Sequence, residues 1–321
     1  MNDSLFCGII VYLANFMRCY RGKCTSRGPQ VMNALPINDQ GWAPDPPDAG
    51  GPLYRTSLLP REIRDPLPSK IDLRAKPYAD DAGNPYLPTP YTQAPHINAC
   101  TANALTSAFT FEIKRQGLQP STFSRLFIYY LETLNIGQPG NETGVSVRDG
   151  VDALASDGSC QDAEWLNYDT YPMPGPPPQP IRDQAKQYLK NNGMALAYFR
   201  LDNANINELK TCLAAGHPFV FGFLVFQSFN GANNGGKGLV PMPKKNGDPQ
   251  IGSHTIIAVG YDDARFTVRS SWGLRDPNTN TVFGDQGDYY MPYEYLTGSN
   301  DFPDGLAGDF WTLRLTKIAG A

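Results

Sequence analysis

Residues 98–105 read Asn-Ala-Cys-Thr-Ala-Asn-Ala-Leu and place a cysteine, Cys100, where a helix is about to begin. Apolar residues then recur at helical spacing, at Ala102, Leu105, Phe109 and Ile113. This spacing predicts a helix over residues 100–116, with Gly117 as its C-terminal stop. A helix N-terminus favours negative charge and lowers the pKa of a thiol located there. The stretch therefore predicts an amphipathic helix that carries a reactive cysteine at its start.

A histidine further along the chain supplies the partner that such a cysteine needs. Residues 252–261 read Gly-Ser-His-Thr-Ile-Ile-Ala-Val-Gly-Tyr, so His254 stands just ahead of an apolar strand. An imidazole beside a thiol can take its proton and later return it to a leaving group. Cys100 and His254 are therefore a candidate nucleophile and general base, joined as a thiolate–imidazolium ion pair.

Composition excludes several other classes of protein. The chain has 321 residues and a net charge of −4 without a basic stripe, which argues against a nucleic-acid surface. Its six cysteines form no Cys-x-x-Cys pair, and only three histidines are present, so a structural zinc site is not expected. The sequence implies neither a metal nor an organic cofactor. Free thiols favour a reducing intracellular compartment or a virion over secretion.

The N-terminal part leaves three interpretations open. Residues 5–17 form an apolar run that is followed by positive charge at Arg18, Arg21 and Lys23. The run is too short to span a membrane, and a signal peptide would carry its charge before the run. A short core helix, an interfacial anchor in contact with a membrane and a helix of an activation segment remain. Residues 28–70 are rich in Pro, Asp and Gly and read as an extended arm anchored by Trp42.

The remainder of the chain predicts a helical half followed by a sheet-rich half. A helix begins at Ser146, whose spacing to Asp149 fits a capping box. The proline-dense residues 172–178 form the predicted boundary between the halves. Beyond it the patterns predict helices over 181–190 and 207–215, strands over 219–226, 255–261, 266–270, 289–291 and 310–315, and a long loop over 228–252. The expected class is α+β with a cleft between two lobes.

Taken in order, these pieces resemble the papain-like cysteine peptidases, and most closely their divergent bacterial and viral branch. The resemblance rests on Gln93, the Cys-Thr-Ala-Asn-Ala run from Cys100, His254 before its Ala-Val-Gly-Tyr strand, and Ser-Ser-Trp-Gly over residues 270–273. Further likenesses are Gly-Trp-x-Pro-Asp at 41–45, Asp-Leu-Arg at 72–74, Met-Pro-Tyr-Glu-Tyr-Leu at 291–296 and Asp-Phe-Trp at 309–311. The likeness spans residues 70–315.

The resemblance implies a papain-like two-lobed fold. It has a helical left lobe, an antiparallel β-sheet or barrel as right lobe, and the active-site cleft between them. It implies a catalytic domain over residues 66–321, preceded by an N-terminal extension over residues 1–65. Papain-like enzymes are often held inactive by such a segment, so the extension is expected to act as the protein's own inhibitor. A packing arm is the alternative.

The same resemblance implies roles for single residues. Cys100 is the nucleophile, and His254 exchanges the proton. Gln93 donates from its side chain to the oxyanion hole, together with the backbone N–H of Cys100. Ser270 stands where the family has the asparagine that orients the histidine. Substrate binding falls to Thr143 and Gly144, which line the non-primed groove, to Ser253, and to Trp272, which shields the histidine's hydrogen bond from water.

Three departures from the family pattern qualify this assignment. Ser270 is shorter than asparagine and rotates more freely, so it holds the imidazole tautomer less firmly. Gln93 lies seven residues before Cys100, where the family usually has six, which predicts a bulge near Pro95 or His96. Ile97 replaces a cysteine of the family, so the common disulfide is missing.

Other histidines and cysteines have plainer interpretations. His96 is expected in a surface loop, and His217 in a turn before the strand at 219–226. Cys160 and Cys212 read as small core residues.

The predicted function is hydrolysis of peptide bonds in a peptide or protein substrate through an acyl-enzyme. Two alternatives share the same residues. One is a weakened or inactive papain-like protein that binds peptides or partners, motivated by Ser270. The other is transfer of the acyl group to an amine instead of water.

Overall fold

The computed structural model describes residues 41–45, 50–93, 97–119, 122–233, 237–276 and 279–318. The chain divides into two compact units, Met1–Ala34 and Leu35–Ala321, and all described residues belong to the second. The apolar run at 5–17 with its suggested membrane contact, His96, and the suggested bulge near Pro95 lie outside the described residues. No helix among the described residues is long and apolar enough to cross a bilayer.

The described residues contain eight α-helices. They are α1 (Arg61–Arg64), α2 (Cys100–Arg115), α3 (Arg125–Asn135), α4 (Val147–Asp157), α5 (Gln179–Asn191), α6 (Ile206–Ala214), α7 (Asn230–Asn233) and α8 (Tyr293–Thr297). Short 3-10 turns occur at Thr56–Leu58, Asp162–Glu164 and Gln227–Phe229.

The second lobe is one antiparallel sheet. Its strands are β1 (Ile71–Asp72), β2 (Met194–Arg200), β3 (Phe219–Phe226), β4 (Gln250–Tyr261), β5 (Arg265–Arg269), β6 (Asp288–Pro292) and β7 (Ala307–Lys317). They lie in the order β2-β7-β3-β4-β5-β6, and β1 pairs with the end of β4. Since β2 and β6 lie at opposite edges, the sheet is open over the described residues. The predicted α+β class is confirmed, whereas the barrel form of the right lobe is not.

Helix α2 is the central element of the fold. Its residues are buried from Cys100 through Ile113, polar ones included. Two of the buried hydroxyl groups bond within the helix: Thr106 donates to the Ala102 carbonyl at 2.6 Å and Ser107 to the Asn103 carbonyl at 3.0 Å. Such back-bonding pairs these two hydroxyl groups inside the core. The helix ends in the predicted way, since Gly117 has φ +69° and Leu118 N–H bonds to the Ile113 carbonyl.

Strand β4 carries His254 against this helix. It pairs with β3 so that His254 faces Phe223, and all its residues from Gly252 to Tyr261 are buried. At the junction of the two elements, the hydroxyls of Thr101 and Thr255 lie 3.1 Å apart. The residues that follow Cys100 and His254 are therefore in direct contact.

The sequence located the main elements but overlooked several. Helix α4 has the predicted capping box of Ser146 and Asp149, and β3 has the predicted bounds. Helix α3 was not predicted, although its apolar residues recur at helical spacing and it is buried from Leu126 through Thr133. Strand β2 and the short helices α1 and α8 were also missed. The loop predicted over 228–252 contains the short helix α7 and the first residues of β4.

Candidate active site

Cys100 is the first residue of α2 and is fully buried. The residue before it, Ala99, offers no side chain to cap the helix, so the first backbone N–H groups remain unoccupied by a cap. The Cys100 thiol donates a hydrogen bond to the backbone carbonyl of Gly41 at 2.7 Å. The sulfur therefore lies at a helix start, and a peptide carbonyl from the N-terminal arm covers it.

Burial raises the pKa of the Cys100 thiol to about 11, although hydrogen bonds from the backbone and side chain of Thr255 act in the opposite direction. The thiol is therefore neutral in this arrangement. The sequence predicts a thiolate, and the arm explains the difference, because it takes the thiol proton as a hydrogen bond and keeps water from the sulfur.

His254 is 2% exposed and lies between an aromatic ring and a hydroxyl. Its ring stacks on Trp272 with centroids 4.4 Å apart and planes 19° apart. Its Nε2 atom lies 3.1 Å from the Ser270 hydroxyl oxygen. Burial lowers the pKa of His254 to about 3, so the imidazole is neutral in this state. The predicted ion pair is thus absent from the arm-covered arrangement, since burial disfavours both charged forms.

Ser270 occupies the position between the imidazole and the backbone of Trp272. The Trp272 N–H donates to the Ser270 hydroxyl oxygen at 3.2 Å. Trp272 itself is 1% exposed. Its indole therefore covers the ring of His254, and its backbone fixes the hydroxyl that contacts this ring.

Gln93 is held next to this cluster by the loop of Ser271. The Gln93 N–H donates to the Ser271 carbonyl at 2.6 Å, and the Ser271 hydroxyl donates to Gln93 Oε1 at 2.7 Å. Gln93 Nε2 donates to the Ile97 carbonyl at 3.1 Å. The side chain thus presents its amide group towards the segment that leads into Cys100, with its oxygen pointing back to Ser271.

The arm of residues 41–45 contacts the site on its sheet side and on its helical side. A Cβ atom added at Gly41 would lie 3.3 Å from Cys100 Sγ and 2.8 Å from the Ser253 carbonyl oxygen, so only glycine fits here. Trp42 N–H donates to the Ser253 hydroxyl at 3.3 Å, and this hydroxyl donates to the Trp42 carbonyl at 2.9 Å. Ser253, predicted to bind substrate, therefore binds the arm.

On the helical side, the arm pairs with the segment before α4. Trp42 and Val145 form a parallel bridge, and the Ala43 N–H donates to the Val145 carbonyl at 3.1 Å. The predicted groove residues Thr143 and Gly144 come just before Val145, and the Thr143 N–H donates to the Tyr129 hydroxyl at 3.1 Å. Val145, which the sequence analysis did not single out, is the residue of this segment that pairs with the arm.

The indole of Trp42 fills a pocket in the sheet lobe. A Cβ atom at Gly222 would overlap the indole ring, and one at Gly308 would lie 3.6 Å from it. At the bottom of the pocket, the Trp42 indole N–H donates to Asp309 Oδ2 at 3.0 Å. Trp42 is 7% exposed as a result. Gly222 therefore makes the space that anchors the arm.

A pair of carboxylates completes this anchor. Asp45 N–H donates to Asp309 Oδ2 at 2.7 Å, while the Asp45 side chain accepts from the Trp311 indole at 2.9 Å and from Arg148 N–H at 3.0 Å. Burial, and then the charge of Asp45, raise the pKa of Asp309 to about 7. Burial also raises the pKa of Asp45. The motifs at 41–45 and 309–311 thus interlock, which their separation in sequence concealed.

The other candidate residues lie outside this cluster. His217 contacts Glu112 through Nδ1 at 2.6 Å and Arg115 through Nε2 at 3.2 Å. Cys160 and Cys212 are buried free cysteines, as is Cys100. Within the described parts of the chain, no group of three or more His, Cys, Asp or Glu residues could hold a metal ion.

Comparison with known proteins places the chain in a family. It is 33% identical over 228 residues to the uncharacterized peptidase C1-like protein L477 of Acanthamoeba polyphaga mimivirus, an alignment that covers 68% of this chain and 67% of the relative. No model of a protein family matches the chain.

Solved structures agree with that relationship. Xylellain, a cysteine protease from Xylella fastidiosa, has a TM-score of 0.69 and 32% identity, covering 89% of this chain and 99% of its own. The digestive procathepsin L 3 of Tenebrio molitor (TM-score 0.57, 13% identity, 97% and 88% covered) and a recombinant stem bromelain precursor (0.57, 16%, 98% and 90%) share the fold. The viral relative and the solved structures establish that this chain belongs to the papain-like, C1-type cysteine peptidases, which are hydrolases.

Proposed function

We propose that this peptidase is a latent enzyme whose Cys100 and His254 hydrolyse peptide bonds once the arm of residues 41–45 leaves the cleft. The observation that carries the proposal is the Gly41 carbonyl hydrogen-bonded to the Cys100 thiol at 2.7 Å. A segment of peptide backbone thus lies on the sulfur while it pairs with Val145 and Ser253.

The proposed reaction uses the groups around that sulfur. With the arm displaced, water and substrate enter, and His254 takes the thiol proton through the nitrogen that does not face Ser270. The thiolate attacks the scissile carbonyl, and His254 then protonates the leaving amine. Water hydrolyses the resulting thioester. The Cys100 N–H at the start of α2 and the Gln93 amide would bind the oxyanion, where each such donor is typically worth about 3 kcal/mol.

The arm is suited to inhibit and not to be cut. Gly41 presents its carbonyl oxygen to the thiol as a hydrogen-bond acceptor. Attack requires the carbonyl carbon to face a thiolate at about 3–3.5 Å, and the buried Cys100 thiol is protonated. The procathepsin and the bromelain precursor that share this fold are precursor forms, which is consistent with an N-terminal inhibitory segment.

Two variants test latency from opposite sides of the Trp42 pocket. Trp42→Ala removes the anchoring ring, and Gly222→Ala removes the space for it. Losing a buried indole costs about 3 kcal/mol of arm binding, which corresponds to about a hundredfold faster alkylation of Cys100 by iodoacetamide. Both variants should also gain cleavage of a fluorogenic peptide library. Leu58→Ala, at an exposed position of the same extension, is the matched control and should change neither rate.

The outcomes separate the parts of the proposal. Equal alkylation rates in the variants and the native chain contradict an inhibitory arm. An arm-released chain whose Cys100 resists alkylation at neutral pH contradicts the nucleophile.

A second candidate, peptide binding with little turnover, is favoured by Ser270 in place of the family's asparagine. Ser270→Asn in the Trp42→Ala background decides between them. A weakened peptidase gains turnover from the asparagine, whereas a binding protein cleaves nothing in either form. Transfer of the acyl group to an added amine is distinguished by mass spectrometry of the products.

A further inference from the structure

The Ser270 hydroxyl can donate one hydrogen bond. The acceptor of that bond decides which nitrogen of His254 can act as a base. A hydroxyl can accept two hydrogen bonds and donate one. Trp272 N–H uses one accepting position of Ser270. Over the described part of the chain, His254 Nε2 is the other group within hydrogen-bonding distance of this oxygen.

The contact with His254 can be made in two ways, with opposite consequences. If the Ser270 hydroxyl donates to Nε2, the ring proton must be on Nδ1, and that nitrogen cannot accept the proton of a thiol. If Nε2–H donates to the Ser270 oxygen, Nδ1 has a free lone pair and can act as a base. The second arrangement requires a different acceptor for the Ser270 proton.

A small cavity with several polar residues in its lining borders Ser270 and provides room for that acceptor. Its volume is about 10 Å³, measured as the space open to the centre of a water-sized sphere, and its lining includes Ser107, Thr255, Ser270 and Ser271. One water molecule needs about this volume and between two and four polar partners.

Two of the hydroxyls around the cavity can only accept. Ser107 gives its proton to the Asn103 carbonyl at 3.0 Å, and Ser271 gives its proton to Gln93 Oε1 at 2.7 Å. Both oxygens can therefore offer only lone pairs to the cavity. A water that donates its two protons to these two oxygens can itself accept, and the Ser270 hydroxyl has a proton to donate to it.

We propose that one buried water in this cavity takes the Ser270 hydroxyl proton and thereby holds His254 in the tautomer protonated on Nε2. In this arrangement Ser107, Ser271 and the water are positioning groups that act through Ser270, and together they replace the family's longer asparagine. The inference rests on the proposed function for its catalytic meaning, while the tautomer itself can be measured without any activity.

The direct test is nitrogen NMR of the imidazoles in the Cys100→Ala chain, which contains only three histidines. We expect the His254 signals of a ring protonated on Nε2. Ser107→Val fills the cavity and removes an accepting oxygen, so it should shift His254 towards the Nδ1-protonated form. Thr106→Val is the matched control, because Thr106 makes the same kind of back-bond, to Ala102 at 2.6 Å, and does not line the cavity.

A double-mutant comparison then separates positioning from packing. In the arm-released Trp42→Ala chain, Ser107→Val should lower kcat/KM about tenfold, since only molecules with the correct tautomer react. After Ser270→Ala no hydroxyl proton needs an acceptor, so adding Ser107→Val should change kcat/KM less than twofold. Equal losses in both backgrounds would mean that Ser107 acts through packing, and would overturn the proposal.

Two further outcomes keep the test decisive. If Ser107→Val does not fold, Ser107→Ala removes the accepting oxygen without adding volume and should shift the NMR tautomer in the same direction. A native His254 protonated on Nδ1 also overturns the inference, whatever the enzyme cleaves. Loss of peptidase activity in every variant with a correct tautomer would contradict the proposed function alone.

Discussion

The molecule contains two neighbourhoods in which a buried cysteine accompanies a buried histidine. Cys100 and His254 come from distant parts of the chain, whereas Cys212 and His217 are separated by five positions. Both cysteines are completely buried and free. Burial lowers the pKa of His254 to about 3 and that of His217 to about 4. Residue type, burial and pKa therefore do not distinguish the two pairs.

The ends of the helices do distinguish them. Cys100 is the first residue of the 16-residue helix α2, where the helix dipole favours a thiolate. Cys212 lies in the last turn of α6, where the dipole opposes one. Its thiol donates to the His217 backbone carbonyl at 3.5 Å and not to the imidazole.

The partners of the imidazoles differ as well. Arg115 donates to His217 Nε2 at 3.2 Å, so the ring proton is on Nδ1 and bonds to Glu112 at 2.6 Å. Both nitrogens of His217 are thereby occupied. His254 has a hydroxyl on one nitrogen and an aromatic face against its ring. An imidazole tied at both nitrogens stabilises the fold, while one tied at a single nitrogen can still exchange a proton.

The sharpest way to break this comparison is to remove each cysteine. In the arm-released Trp42→Ala chain, Cys100→Ala should lower kcat by about 10⁴ or more, because loss of a nucleophile removes the whole catalytic unit. Cys212→Ala should leave kcat within about twofold, since its sulfur faces a backbone carbonyl. The rates are measured with one fluorogenic peptide, and a large loss from Cys212→Ala would contradict the distinction.

Removing each histidine should separate stability from activity. His217→Ala removes the imidazole N–H that bonds to the fully buried Glu112, leaves Arg115 as the other partner of this carboxylate, and should cost about 3 kcal/mol of unfolding free energy. His254→Ala removes no hydrogen bond to a buried charge, so most of its effect should fall on activity. Urea unfolding of both variants, alongside their peptidase rates, checks this. A stable, fully folded His217→Ala chain would be the contrary result.

A buried carboxyl group without such a partner extends the comparison. Glu132 is fully buried, and neither of its carboxyl oxygens has a hydrogen-bond partner among the described residues. Burial, and then the charge of Asp149, raise the pKa of Glu132 well above its usual value. An acid that is harder to ionise in the folded state stabilises it most at low pH and progressively less as pH rises.

Replacing Glu132 should therefore matter only at higher pH. Glu132→Gln should raise the unfolding free energy by about 2 kcal/mol at pH 7, with little gain at pH 4. The partnered glutamate is the control: burial raises the pKa of Glu112, but His217 and Arg115 outweigh it and leave the pKa lowered. Glu112→Gln should accordingly destabilise at pH 7. Chemical unfolding at both pH values measures the two effects, and equal gains from Glu132→Gln at both would contradict this account.

The smallest expected effect is a pH dependence of the alkylation rate of Cys100. With the arm bound, the pKa of Asp309 is raised to about 7 from an ordinary 3.8. The bound arm therefore holds an extra proton between these values and is released more readily as pH rises. Between pH 6 and pH 7 the population of released arm should grow about fivefold.

Alkylation rates report this release. We divide the alkylation rate of Cys100 in the native chain by its rate in the Trp42→Ala chain. This ratio cancels the effect of pH on ionisation of the thiol itself. This ratio should rise with pH when Asp309 is present, and it should not change with pH in Asp309→Asn. The same ratio measured at Cys212 should not change with pH. A ratio that falls with rising pH would contradict the assigned direction.

Much of the fold and the site could be predicted because local patterns specify them. The helical spacing after Cys100, the capping box at Ser146 and the apolar run of β3 each depend on neighbours in sequence. The open sheet could not be predicted, since closure depends on which edge strands meet. Helix α3 was overlooked although its apolar residues recur at helical spacing.

Sequence alone indicated which groups are the candidate reactive groups. Cys100 at a helix start, His254 before an apolar strand and a serine at position 270 are properties of the chain itself, and their order indicated the family. These assignments use short-range chemistry, namely which side chains can attack, accept a proton or accept a hydrogen bond.

Only the tertiary structure decided the state of those groups. The Gly41 carbonyl on the Cys100 thiol, the Trp42 indole over Gly222 and the joined Asp45 and Asp309 all involve residues far apart in the chain. Burial and charge neighbours set whether a thiol or an imidazole is ionised, and both arise from packing. The sequence therefore indicated Cys100 and His254 as the candidate reactive pair. The fold determined that the arm covers Cys100 and that burial keeps both groups neutral.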